Sequence, residues 1–353
     1  MKIFQKYVVY SYIKNFLVLF FALELFYVGI DLLTNYKELP DSANLQLLYT
    51  VFTMMDAVNY TLPLSSVFAM IVTKFSMIKS NELVTLYSVG ITKKNIIKPI
   101  FLSSAMIATI YIVLNFTSFT YSKEYSSNLL KYSMVSNSST NLFLKDKNQY
   151  VFFKVLDPIK KVANEIKIFD VSNNDLNKVI TAKSGYFFEN RWTLKDAKVT
   201  TKPKVSGLSQ NGLIEENFSR YETLENFKPK IIENVHKGEY KLSTLDALDA
   251  LMFFDEQGIN TDRIKTILYT QIFFPLFAPF LVIILFYQLP ASSRFFNFAF
   301  LSFVFVFITL LTWGILFLLS KLAYTSVITP EVAILFPIVL LGLISLKLYY
   351  KKA

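Results

Sequence analysis

Residues 79–98, KSNELVTLYSVGITKKNIIK, separate two long apolar runs and decide how the rest of the chain is organised. Glu82, Leu83 and Leu86 stand at helical spacing, and Gly90 stands where a helix C-cap is expected. The charges of this segment would have to be desolvated in a bilayer, so it cannot be a membrane span. The pattern predicts a short amphipathic helix at the membrane surface, although a solvated loop between two helices fits the periodicity as well.

The composition is that of an integral membrane protein. Of the 353 residues, 53% are hydrophobic, and they cluster in blocks. The net charge of +10 lies largely at the ends of the apolar runs, where lysine sets topology, so it is not a signal for nucleic acid. The chain has no cysteine, which excludes disulfides and thiol chemistry. Glu24 interrupts the first apolar run and no small-residue cleavage site follows, which favours an uncleaved first span over a signal peptide.

Six apolar runs are predicted to cross the membrane, at about residues 15–33, 45–78, 96–119, 265–289, 295–319 and 332–346. The second exceeds the roughly 20 residues that a bilayer needs, so it should tilt, project beyond the membrane or kink near Pro63. The predicted domains are residues 1–120, with a surface helix at about 79–92, a polar inserted domain at 121–263, and residues 264–353.

Basic residues predict the orientation. One set of loops and both termini carry Lys2, Lys6, Lys14, Lys74, Lys79, Lys93, Lys94, Lys98, Arg294, Lys347, Lys351 and Lys352. The opposite short loops pair Lys37 with Glu38 and Asp41, and Lys321 with Glu331. The positive-inside rule therefore predicts cytoplasmic termini, a cytoplasmic segment 79–98 and an inserted domain on the far side.

The inserted domain is predicted to be all-β. Short runs rich in β-branched and aromatic residues lie at 142–144, 150–155, 166–171, 179–188 and 192–200, and turn-forming residues separate them. Repeated short strands without helices between them favour a sandwich or a partly open barrel. Ser243 and Asp246 then predict a capping box that opens a helix ending near Gly258.

Signals for catalysis, metals and cofactors are missing. His236 is the only histidine, and one histidine without cysteine argues against a zinc site. Gly207 and Gly212 have the spacing of a phosphate loop, but Leu213 follows where such a loop has lysine. The sequence therefore predicts no catalytic residues, no metal and no cofactor, and any work on a gradient must draw energy from a partner or an ion. An enzyme domain at 121–263 remains an alternative, since carboxylates alone can carry acid–base chemistry.

Ionisable residues inside the spans are the stronger clue. Glu24 and Asp31 are seven residues apart and share one helical stripe, and Asp56 opens the outer part of span two. Such groups face a bundle interior or a watery cavity, so they line a substrate path or form a structural hydrogen-bonded cluster. A secondary lipid transporter or scramblase that uses Glu24 and Asp31 as ion sites is the alternative function. Lys74 is expected to extend to the membrane surface.

Residues 80–91, SNELVTLYSVGI, resemble the S-E-L-x-x-L-x-x-x-G-[IF] signature of the LptF/LptG (YjgP/YjgQ) lipopolysaccharide-export permeases. In this chain Asn81 stands between Ser80 and Glu82. The resemblance extends over the whole chain: six spans split three and three, a β-rich domain after the third span, and Pro63 in the second. Residues 242–258 and 269–276 resemble the LptG branch.

This resemblance implies a six-helix membrane protein of the bacterial inner membrane with a periplasmic β-jellyroll-like domain. The helix that begins at Glu82 would be a coupling helix that docks in a groove of an LptB-like cytoplasmic ATPase dimer. Glu82 would meet a basic residue of the ATPase, while Leu83, Leu86 and Ile91 would pack on its apolar floor. Gly90 belongs to the same predicted ATPase-binding set.

The resemblance also implies a lipid path. Spans one and five of this subunit and of an LptF-like second permease would line a cavity for lipopolysaccharide, and an LptC/LptA-like bridge would receive the lipid for outer-membrane biogenesis. The cavity residues implied here are Glu24, Asp31, Lys37 and Asp56. Family members often carry a basic residue near the position of Asp31, so either Lys37 or the second permease would contact the lipid phosphates.

Overall fold

The structure, a computed structural model, describes residues 2–135, 138–146, 148–172, 175–203, 212–225, 227–230, 232, 242–255, 260–290 and 297–351. The chain divides into a membrane unit, Met1–Ser126, Ser243–Ala247 and Asn260–Ala353, and a β unit, Ser127–Leu242 and Leu248–Ile259. Several sequence predictions lie outside the described residues, namely those for Gly207, His236, Gly258, Arg294 and Lys352.

The helices are α1 Ile3–Thr34, α2 Ala43–Lys79, α3 Glu82–Ser88, α4 Lys93–Leu114, α5 Ser122–Tyr132, α6 Thr244–Asp255, α7 Asp262–Ile272, α8 Phe277–Gln288, α9 Phe298–Tyr324 and α10 Phe336–Lys351. Six segments of the described chain are long and apolar enough to cross a membrane: α1, α2, α4, the α7–α8 pair, α9, and Glu331–Lys351, which includes α10. The predicted arrangement of three spans, an inserted domain and three spans is confirmed, and the protein is a multi-pass membrane protein.

The second span is the centre of the membrane unit. In its most apolar window 78% of the residues are buried, against 17% in the corresponding windows of α1 and α9. Helix α2 runs through Pro63 and is 37 residues long. Helices α1 and α9 therefore keep most of their apolar surface facing outward.

One face of α1 packs on α2. Val8, Tyr12 and Phe16 recur every four residues and are buried. The Tyr12 hydroxyl lies 2.8 Å from the Ser66 hydroxyl, and the Asn15 side-chain amide donates to Thr73 Oγ1 at 2.8 Å. Polar bonds between the two helices thus accompany their apolar contact, as expected where no water competes.

Lys74 does not extend to the membrane surface, so that prediction is wrong. The residue is 3% exposed, and its Nζ donates to the backbone oxygens of Phe286 at 2.5 Å and Leu289 at 2.7 Å. These carbonyls lie at the end of α8, where unpaired carbonyl groups carry the negative end of the helix dipole. The ammonium also lies 4.3 Å from the centre of the Phe286 ring. Lys74 is therefore satisfied inside the protein and fastens α2 to the end of α8.

The β unit contains a six-stranded antiparallel sheet in the order β1-β2-β3-β4-β5-β6. Its strands are β1 Ser139–Asp146, β2 Gln149–Asp157, β3 Val162–Ser172, β4 Asp175–Phe188, β5 Arg191–Thr201 and β6 Ile214–Thr223. The predicted all-β insertion and all five predicted runs are confirmed. The described strands follow one another as a meander, whereas a jellyroll pairs strands that are distant in sequence. Strand β6 and helix α5 were not predicted.

The core of the β unit lies on one face of this sheet. Phe153 and Trp192 are fully buried with ring centres 5.1 Å apart, and Trp192 Nε1 donates to the Phe227 carbonyl at 2.8 Å. Gly185 faces this core closely: a Cβ there would lie 2.7 Å from Ile166 Cδ1, so only glycine fits without displacement.

Hydrogen bonds within the membrane unit hold the start of α6. Ser243 Oγ accepts from the backbone N–H of Asp246 at 3.2 Å, which confirms the predicted N-cap. The Ser243 N–H donates to the Tyr121 hydroxyl at 3.1 Å instead of completing a capping box, and that hydroxyl donates to the Asp246 carboxylate. Burial and the adjacent Asp246 raise the pKa of Tyr121. Thr244 N–H donates to the Asn115 carbonyl at 3.0 Å, which ties this segment to the end of α4.

Candidate functional site

Helix α3 is a separate short helix whose ends are set by two left-handed residues. Asn81, before its first turn, has φ 60°, and Gly90, just after its end, has φ 83°. Gly90 N–H donates to the Tyr87 carbonyl and Ile91 N–H donates to the Leu86 carbonyl, both at 3.0 Å. This pair of bonds is the Schellman motif that ends helices at glycine, so the predicted helix end at Gly90 is confirmed, while its part in ATPase binding stays a prediction.

The inner side of α3 is packed into the membrane unit. Leu83 is fully buried, and Leu86, Tyr87 and Ile91 pack partly buried against the same hydrophobic cluster. Burial raises the pKa of Tyr87 to about 12, with a smaller contribution from Tyr287. Leu83, which the resemblance assigns to a partner contact, therefore anchors α3 to its own chain in this structure.

The outer side of the segment presents an acid and two valines. Val84 is 45% exposed, Val89 is 68% exposed and Glu82 is partly exposed. The two valines were not among the predicted site residues, and it is their exposure in the structure that identifies them. An acid beside exposed apolar side chains can bind a partner groove that offers a cation and an apolar floor.

Tyr7, near the start of α1, is a further contributor. Its hydroxyl donates to Glu82 Oε2 at 2.9 Å, across 75 residues of sequence. No local pattern links positions so far apart, so sequence reasoning missed this contact.

A second group of polar residues lies between α1 and α2. Glu24 is 2% exposed, and Thr61 on α2 donates to its Oε1. Its Oε2 has no hydrogen-bond partner within the described part of the chain. The hydroxyl of Tyr49, also on α2, donates to Asp31. Glu24 and Asp31 thus share the stripe of α1 that faces α2, as their spacing predicts.

Of the other two predicted cavity residues, Asp56 lies close enough to Glu24 and Asp31 to interact electrostatically with both, whereas Lys37 lies outside this group. Asp56 is buried on α2, with Oδ2 3.6 Å from the Nζ of Lys123 and Oδ1 accepting from the Asn59 amide at 3.4 Å. Lys37 is exposed in the 3-10 turn Tyr36–Glu38. Lys123, on α5, was not predicted to take part because no motif marks it.

Two apolar cavities open on α2. One, of about 390 Å³, lies against α1 and is lined by Phe26, Ile30 and Leu64 together with the polar residues Asp31 and Thr61. The other, of about 710 Å³, lies between α1, α2 and α9, with Lys79 at its edge. Their size and lining suit apolar chains with a polar group at one point.

Among the residues that the structure describes, no group of three or more histidine, cysteine, aspartate or glutamate side chains could hold a metal ion. The predicted absence of catalytic residues and of a cofactor stays a prediction.

One comparison places the chain among known proteins. A family model described as lipopolysaccharide export system permease LptF/LptG matches residues 6–351. No curated protein matches the chain. The family match spans all six membrane segments and the inserted β-sheet, so it covers both of the regions described above.

Proposed function

We propose, because this chain belongs to the LptF/LptG family of lipopolysaccharide export permeases, that its α3 helix receives force from an LptB-like cytoplasmic ATPase dimer. The ATPase would drive extraction of lipopolysaccharide from the bacterial inner membrane. The observation that carries this proposal is the two-sided placement of the segment, with Leu83 fully buried, Glu82 partly exposed and Val89 68% exposed.

A short helix packed in this way is suited to transmit displacement. Leu83 joins α3 to the same core that contains α2 and α8, so a push on the outer side moves packed helices instead of a loose loop. Glu82 would pair with a basic residue of the ATPase, while Val84, Val89 and the partly buried Leu86 and Ile91 would meet its apolar floor. The chain itself would bind no nucleotide.

The distribution of lysines along the chain supports a cytoplasmic position for α3. Several lysines lie at or beside the helix ends that flank α3 or that form the two termini, namely Lys2, Lys6, Lys79, Lys93 and Lys351. By the positive-inside rule these ends, and α3 with them, would lie in the cytoplasm. The β unit would then be periplasmic, where it would hand the lipid to an LptC/LptA-like bridge.

The outward faces of α1 and α9 are suited to contact a second subunit and substrate. We propose that an LptF-like permease pairs with these faces and that the cavity beside Asp31 accepts an acyl chain of lipopolysaccharide. Asp31 would repel lipid phosphate, so the phosphate contact falls to Lys37, to Lys123 or to the second permease. The similarity of residues 242–258 and 269–276 to the LptG branch supports the proposal that this chain is the LptG-like partner.

One observation favours a second candidate function. Oε2 of Glu24, which has no hydrogen-bond partner among the described residues, is an available proton or cation acceptor inside the membrane unit, as an ion-coupled lipid transporter or scramblase would need. That candidate requires no ATPase.

Purification of the tagged chain in a mild detergent tests the proposal. The wild type should copurify with an LptB-family ATPase and a second LptF/LptG permease. Glu82→Lys should keep the second permease and lose most of the ATPase, because the charge of the contact is reversed. Glu38→Lys, an exposed acid in another loop, is the matched control and should keep both. Wild-type complexes without an ATPase, or full ATPase recovery with Glu82→Lys, would contradict the proposal.

A further inference from the structure

We propose that Tyr7 is a positioning residue that holds the Glu82 carboxylate ready for the ATPase and links α3 directly to α1. This inference rests on the proposed function, since it assigns a task to a residue that acts through Glu82. Nothing in the resemblance points to position 7.

The geometry leaves Glu82 able to bind both Tyr7 and a partner. A carboxylate accepts hydrogen bonds on two oxygens. Tyr7 occupies Oε2, at 2.9 Å, and no bond to Oε1 is found in the part of the chain that the structure describes. A bond to one oxygen restricts the rotation of the side chain, so a cation that approaches Oε1 meets an ordered carboxylate.

Exposed hydrogen bonds between flexible side chains are often weak, but in the Tyr7–Glu82 bond each residue is next to a buried residue that holds its backbone in place. Tyr7 directly precedes Val8, which is fully buried, and Tyr12 one turn further is anchored on Ser66. Glu82 directly precedes Leu83, which is fully buried as well. The backbones that carry the two side chains are therefore held in place by the core, and less conformational entropy is lost when the bond forms.

The bond also gives α3 a second route into the membrane unit. Helix α3 follows α2 closely in the chain and packs against the α2 core, while Tyr7 connects it to α1. Helix α1 carries Glu24 and Asp31 and lines the smaller cavity. A displacement of Glu82 by the ATPase would thus act on the helix that borders the proposed lipid path.

Single hydroxyl deletions test this inference. The full-length permease complex is placed in nanodiscs with the wild-type residue, Tyr7→Phe, Glu82→Ala, or both changes together, and binding of the purified LptB-family ATPase is measured. Tyr10→Phe is the matched control, because Tyr10 is a 70% exposed tyrosine on the same helix. The amount of lipid released per ATP hydrolysed is measured on the same samples.

Tyr7→Phe should weaken ATPase binding by about 3- to 10-fold, the usual effect of one lost hydrogen bond. It should also lower the lipid released per ATP and leave the thermal midpoint unchanged, while Tyr10→Phe should behave as wild type. In the Glu82→Ala background, Tyr7→Phe should cause no further loss of binding, because the residue through which it acts is gone.

The failures are distinguishable. Wild-type binding by Tyr7→Phe, with binding lost in Glu82→Ala, overturns the inference alone. Equal losses from Tyr7→Phe in both backgrounds show a role independent of Glu82 and also overturn it. Wild-type binding by Glu82→Ala contradicts the proposed function, and the inference with it.

Discussion

Three buried ionisable residues of the membrane unit, Lys74, Asp56 and Glu24, differ in the partners that surround them. Lys74 is bonded to two carbonyls at the end of α8, and Asp56 lies near the ammonium of Lys123. Glu24 has one bonded oxygen and one that has no partner in the described part of the chain. A buried charge costs several kcal/mol unless polar groups surround it, so these differences separate structural from functional roles.

Lys74→Met should destabilise the protein. The substitution removes the donor and leaves the buried carbonyls of Phe286 and Leu289 unsatisfied, at a cost of about 1–3 kcal/mol. The measurement is the thermal midpoint of the detergent-solubilised protein. Lys79→Met, an exposed lysine on the same helix, is the control, and equal midpoints for the two variants would show that the carbonyl bonds do not stabilise the fold.

Glu24→Gln should preserve stability and reduce transport. A glutamine oxygen still accepts from Thr61, and removal of an incompletely paired buried charge relieves its desolvation cost. We expect an unchanged or higher thermal midpoint with a several-fold loss of lipopolysaccharide release from reconstituted vesicles. Normal release would show that Glu24 has a structural role only, and loss without dependence on an ATPase would favour the ion-coupled transporter.

At the scale of elements, the helix α3 could be predicted from the sequence, but its contacts with distant parts of the chain could not. Glycine at position 90 follows from the left-handed backbone that a helix end requires, and that is a local property. The contact of Tyr7 with Glu82 and the burial of Lys74 depend on residues 75 and more than 200 positions away, which no local pattern encodes. The prediction for Lys74 was wrong because a lysine near a helix end is expected at the surface unless the carbonyl groups that accept its hydrogen bonds are known.

In the β unit, too, only the elements with a local sequence pattern could be predicted. Runs such as 179–188 carry β-branched and aromatic residues and were found, whereas β6, IEENFSRYET, is exposed from Ile214 to Arg220 and lacks an apolar alternation. A strand held by pairing with its neighbour, instead of by a buried face of its own, leaves little trace in the sequence. Helix α5 does bury one face, but two of its three buried residues, Ser122 and Ser126, are polar, so no apolar periodicity marks it.

Gly90→Ala should impair the site without affecting the membrane spans. A side chain at φ 83° is strained by about 1–2 kcal/mol, although the space around Gly90 is open, so the end of α3 and Val89 should lose their fixed position. We expect a several-fold weaker binding of the ATPase in the nanodisc assay. Gly29→Ala, in open space within α1 and without a positive φ, is the control and should bind normally; equal binding by both variants would show that the helix end does not matter.

At the scale of the whole molecule, the architecture joins an apolar membrane unit to a β unit in the order that the sequence predicts. Six spans and an inserted sheet could be predicted because each rests on composition over a long window, and the family match over residues 6–351 agrees with both. The candidate site could be located only in part. Its helix and its acid were predicted, while its outward apolar residues required knowledge of which face the core covers.

Photo-crosslinking in living cells tests the central claim, that the outer side of α3 touches an ATPase in the cytoplasm. A photoreactive amino acid would replace Val89, which is 68% exposed, and Phe188, which is 60% exposed in the β unit, would serve as the control position. Light should join position 89 to an LptB-family ATPase, and position 188 should form no such product. If position 89 crosslinks only to periplasmic proteins, or if neither position captures the ATPase while the complex is active, α3 is not the ATPase contact.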